Sequence, residues 1–100
     1  ADDLKEELLT METQLCSFID ESISYLLQTN SDKANEMIDT IREVQKRAAG
    51  IAVASDNLSK SEMLERLVVA ASLERMFDYI MNIGELTINL SHATRQPDRV

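Results

Sequence analysis

The sequence predicts an all-α protein, an antiparallel three-helix bundle with a long third helix, and three observations carry that prediction. Of its 100 residues 44% are hydrophobic, against two Gly and one Pro, so helix formers abound and the turn residues of a many-stranded sheet are scarce. Apolar residues recur at steps of three and four along most of the chain, the period of a helix burying one stripe. That period breaks twice, at Thr29-Asn30-Ser31-Asp32 and at Ser55-Asp56-Asn57-Leu58-Ser59, where short polar side chains suit the caps of helices.

The first helix is expected over Asp2 to Gln28, with Leu4, Leu8, Met11, Leu15, Phe18, Ser22 and Tyr25 or Leu26 on its inner stripe. Ser31 is the expected N-cap of the second, whose inner face reads Ala34, Met37, Ile38, Ile41, Val44, Ala48, Ile51 and Ala52. Gly50 weakens that helix by up to about 1 kcal/mol relative to Ala, which predicts a close packing contact or an early end there, with a stop near Ala54. Ser59 followed by Glu62 has the spacing of a capping box and starts the third helix near Lys60. No breaker follows until about Ala93, so this helix is the longest, and Leu67, Ala70, Leu73, Phe77, Ile80, Met81, Gly84 and Ile88 share its apolar arc. Short connections force successive helices to run antiparallel. Residues 1–93 thus read as one domain, and 94–100, polar and containing Pro97, as a frayed tail.

Charge narrows the partners. A formal net charge of −8 opposes binding to nucleic acid or to an anionic membrane surface. The acids are concentrated early: Asp2, Asp3, Glu6, Glu7, Glu12, Asp20 and Glu21 precede Asn30, opposed only by Lys5. Lys33, Arg42, Lys46 and Arg47 interleave with Asp39 and Glu43 as a salt-bridged solvent face. No apolar run approaches the roughly 18–20 residues of a membrane span, and the lone Cys16 among apolar neighbours reads as a buried thiol in a reducing cytoplasm. His92 has no second histidine with which to build a zinc site or a dyad, and a Gly-rich phosphate loop is missing.

The third helix carries the candidate site. Glu74, Asp78, Asn82, Glu85 and Asn89 follow one another at spacings of four, four, three and four, a single line of oxygen ligands along one edge of the apolar arc. Carboxylates at i and i+4 repel, and a hard or borderline cation would offset the repulsion, making Glu74, Asp78, Asn82 and Glu85 candidate metal ligands. The alternative is a solvated polar seam with Glu74 and Asp78 paired to Arg75, Arg66 or a neighbouring helix.

The stretch from Leu73 to Glu85, with Leu73-Glu74-Arg75, then Asp78, then Asn82-Ile83-Gly84-Glu85, resembles the signature segment of the PhoU family of phosphate-uptake regulators. The resemblance implies a three-helix repeat with a shorter second helix and a metal cluster on the bundle surface. Of that family's acidic pairs, only Glu74 and Asp78 match residue by residue; Ile41 and Gln45 stand where the second helix usually carries aspartates. A regulatory, non-enzymatic role in phosphate uptake or signalling follows from the resemblance, with a divalent or iron-type metal ion as the cofactor. The implied partners are a membrane transporter or sensor kinase and a second copy of the chain, with a cytoplasmic location peripheral to the membrane. The alternatives are a structural oligomerisation module or a regulatory domain of a potassium or sodium/phosphate transporter.

Overall fold

In the computed structural model, which describes residues 2–53 and 58–95, three helices follow one another: α1 (Asp2–Leu27), α2 (Ser31–Val53) and α3 (Lys60–Arg95). No strand occurs among the described residues. α3 has 36 residues against 26 and 23 for α1 and α2, and the molecule measures 61 × 20 × 17 Å, an elongated bundle about as long as its longest helix.

The turn between α1 and α2 closes by paired backbone hydrogen bonds. The Asn30 amide donates to the Tyr25 carbonyl (2.9 Å) and the Thr29 amide to the Leu26 carbonyl (3.0 Å), the two bonds of a Schellman cap. Thr29 takes the left-handed position of that cap, with φ 48°, a place that favours glycine because a Cβ crowds the backbone there. α2 then starts one residue earlier than the sequence suggests. Asn30 rather than Ser31 is the N-cap, its Oδ1 accepting from the Lys33 amide at 3.1 Å and its carbonyl from the Ala34 amide at 3.1 Å. Ser59 caps α3 as expected: the Glu62 amide donates to Ser59 Oγ (3.2 Å), and that hydroxyl, rather than the Ser59 amide of a full capping box, donates to Glu62 Oε1 (3.0 Å).

The core joins Leu8, Met11 and Leu15 of α1, Met37, Ile41, Val44 and Ala48 of α2, and Leu73, Phe77 and Ile80 of α3. These residues match the expected stripes of α1 and α2; the side chains of Leu4, Ile51 and Ala52 lie outside those described, as do residues 54–57 of the second connection. α2 runs antiparallel to α3. Gln45 meets Glu74 near the middle, while Ile38 and Ala34, closer to the start of α2, meet Gly84 further along α3.

Three expectations change. Gly50 is not a packing glycine, since an added Cβ would meet nothing within 4 Å, and α2 continues past it to Val53. Gly84 is the packing glycine: a Cβ there would lie 3.0 Å from both Cγ1 and Cδ1 of Ile38. Cys16 is exposed, because it follows Leu15 by about 100° around the helix and so leaves the buried stripe. α3 reaches Arg95, so the helix runs two residues beyond Ala93, and residues 96–100 lie outside the described part.

Candidate functional site

α3 is inverted near its start. Arg66, about 20° from Leu73 on the helical wheel, is buried at 7% exposure, whereas Leu67, about 120° from Leu73, is 62% exposed. Met63, Leu64 and Val68 are likewise 50%, 63% and 62% exposed, so the first turns of α3 bury an arginine and present their large apolar side chains to solvent. The expected arc was right from Leu73 onward and wrong at Leu67. Arg66 was one of the partners offered for Glu74 and Asp78 in the polar-seam alternative, and it lies buried in the bundle.

The oxygen line lies on the outside of the bundle. Glu74, Asp78, Asn82, Glu85 and Asn89 are all exposed, and Glu74 to Glu85 spans about 16 Å along the helix, too far for one ion to bind across it. Among the described residues no three His, Cys, Asp or Glu side chains are gathered as metal ligands. A direct contact is made by Glu74, whose Oε2 accepts from Gln45 Nε2 at 3.3 Å, drawing the carboxylate toward α2. The arrangement is that of a polar seam, and metal binding gains no support from it.

Elsewhere the polar groups behave as a solvated surface. Lys33 pairs with Glu36 (3.3 Å) and Lys46 with Glu43 (3.7 Å), all four largely exposed, so each pair contributes at most about 1 kcal/mol. Between α1 and α2, Phe18, Glu21, Tyr25, Lys33, Glu36, Met37 and Thr40 line a cleft of about 170 Å³, smaller than the roughly 300 Å³ at which ligand pockets begin. His92 is exposed near the end of α3. No described helix is long and apolar enough to cross a membrane.

The signal that finds the exposed surface was present in the sequence. The line through Lys60, Leu64, Leu67, Ala71, Asp78, Asn82, Glu85 and Asn89 runs along one side of α3, apolar in its first turns and polar afterwards. Only its polar half stands out when acids are sought as ligands.

A family model described as histidine kinase (HisKA_2) matches residues 21–84, which take in the end of α1, the whole of α2 and α3 as far as Gly84. No curated protein and no solved structure matches the chain. The match overturns the PhoU resemblance and, with it, the regulation of phosphate uptake. The physical reason lies in what the resembling segment does: Leu73, Phe77, Ile80 and Gly84 fill the core of a three-helix bundle, and Glu74, Asp78 and Glu85 face water. Any amphipathic helix packed in this way repeats that pattern. The expectation of a non-enzymatic module also conflicts with a kinase family, and a transporter partner loses its basis. The matched residues include no histidine, His92 lying beyond them. Matched over well more than half its length, the chain belongs to the histidine kinase family.

Proposed function

We propose that this chain is a helical signalling domain of a histidine-kinase-type protein and that it acts as a homodimer. The observation that carries the reading is the family match across all three helices, from residue 21 to residue 84. The matched part supplies no Gly-rich loop to hold nucleotide phosphates and no imidazole to accept a phosphoryl group. Its contribution is therefore mechanical: a bundle that joins two copies and passes a change in helix packing from one end to the other. An imidazole for phosphoryl acceptance is present in this chain only at His92, exposed on α3 beyond the match.

The test is cross-linking of an equal mixture of ¹⁴N- and ¹⁵N-labelled protein with an amine-reactive reagent. The homodimer reading expects mixed-isotope peptide pairs, which arise only between copies. Links confined to single-isotope pairs across a range of concentrations would contradict it.

A further inference from the structure

We propose that the outer groove between α1 and α3 is the docking site for an amphipathic helix of another protein, apolar on one face and basic along its flank. This goes beyond the homodimer reading and does not rest on it. The first support is a second apolar stripe on each of the two helices. On α1 the inner positions Leu8, Met11, Leu15, Phe18, Ser22 and Tyr25 are each followed by a residue of another line: Leu9, Glu12, Cys16, Ile19, Ile23 and Leu26. That line alternates three and four residues, the spacing of a coiled-coil seam, and lies about 100° from the inner one. On α3 the residues that precede Phe77, Ile80, Gly84, Thr87 and Ser91 form a matching seam: Met76, Tyr79, Ile83, Leu86 and Leu90. Leu9, Ile23, Tyr79, Leu86 and Leu90 remain 40–56% exposed, so the bundle itself leaves both seams open. Single exposed apolar residues are ordinary on a soluble domain, whereas contiguous apolar lines mark an interaction surface.

The two seams border one groove. Phe18, Glu21 and Tyr25 turn toward α2, with which they line the cleft described above. Ala70 and Glu74 likewise line a recess with Ala48 and Ala49 of α2. Around the helical wheel Ile19 lies about 160° from Glu21, and Ile83 about 180° from Glu74, so each seam is on the flank away from α2. All three helices pack on one another, and those flanks are therefore the ones that α1 and α3 turn to each other. Ile19 and Met76 accordingly pack on the core, and the more exposed members form the lips. The α1 lip, from Leu9 to Leu26, is about 26 Å long and takes a helix of roughly 18 residues.

Charge selects the occupant. α1 carries seven acids against Lys5 alone, and two of them border the groove: Glu12 stands in the seam, and Asp20 lies about 40° from Cys16. On the opposite lip Arg75, about 40° from Tyr79, is a single base. A second copy would bring the same acidic α1 toward these carboxylates, whereas lysine or arginine flanking an apolar stripe meets attraction. Apolar heptad lips with an acidic rim thus fit a basic amphipathic helix laid in the groove.

Two labelled synthetic helices of about 20 residues, long enough to span the groove, test this when titrated with the full chain by fluorescence anisotropy. Both carry leucine and isoleucine at heptad positions; one has lysine and arginine on its flanks, the other glutamate. The basic helix is expected to bind at least about tenfold more tightly, with the difference shrinking as salt rises. Ile23→Gln combined with Leu86→Gln, one from each lip, is expected to weaken it at least about tenfold. The helical circular dichroism should stay unchanged, because both positions are half-exposed. Leu67→Gln, exposed about 160° from Ile83 around α3, is expected to leave binding as in the wild type. The bound helix is also expected to slow alkylation of the exposed Cys16. Equal affinity for the two helices overturns the basic partner. A double variant that binds like the wild type, or Cys16 alkylated at an unchanged rate, overturns the groove. Cys16 protection that rises with chain concentration alone would show a second copy filling the groove, and that also overturns the proposal. Mixed-isotope cross-links judge the homodimer reading separately, so the two can fail independently.

Discussion

Thr29 holds a backbone conformation that its β-branched side chain disfavours, in a cap whose two hydrogen bonds fix φ at 48°. Thr29→Gly should therefore stabilise the fold by about 1 kcal/mol, a rise of roughly 4–8 °C in thermal midpoint for a domain of this size. An unchanged or lower midpoint on calorimetry would show that the loss of the threonine hydroxyl's contact with the Gln28 carbonyl (2.7 Å) outweighs the relief. Ser22 offers a second test. It is 3% exposed, and its Oγ finds no hydrogen-bond partner among the described residues, so its burial carries a desolvation cost without a compensating bond. Ser22→Ala is expected to raise stability by up to about 1 kcal/mol in urea titration; a loss would mean that the hydroxyl is satisfied after all. Thr87, also buried, serves as the contrast, since its Oγ1 donates to the Ile83 carbonyl at 2.8 Å. The Ser59–Glu62 cap was legible because both partners are in the sequence at fixed spacing. The strain at Thr29 was not, since nothing about a threonine announces a positive φ.

At the scale of the helices, the two glycines divide the labour. Gly50 is exposed and an added Cβ would enter open space, so Gly50→Ala should stabilise α2 by about 0.5–1 kcal/mol through helix propensity alone. Gly84 admits Ile38 against the α3 backbone, and Gly84→Leu should cost about 1–3 kcal/mol by forcing that side chain away. Denaturant midpoints of the two variants moving in the same direction would contradict this division. The inner faces of α1 and α2 could be read from spacing because each carries one apolar stripe with polar residues opposite. α3 misled at its start for a single reason. Its apolar residues encircle the first turns, so periodicity alone cannot say which side faces the bundle, and Leu67 was assigned inward where Arg66 lies. The same ambiguity hid the exposed apolar side chains at the start of α3, while the regularity of Glu74, Asp78, Asn82 and Glu85 drew attention to a seam that faces solvent.

For the whole molecule, the core runs through all three helices of an elongated bundle. The fold class was legible from composition and from the two polar breaks. Family membership was not, because the segment from Leu73 to Glu85 owes its regularity to helix packing, which unrelated bundles share. Self-association is the central expectation of the family reading, and sedimentation equilibrium of the wild-type chain measures it most directly. The account predicts a concentration-dependent shift from the 11.3 kDa monomer to twice that mass. A single species at the monomer mass up to millimolar concentration would contradict it.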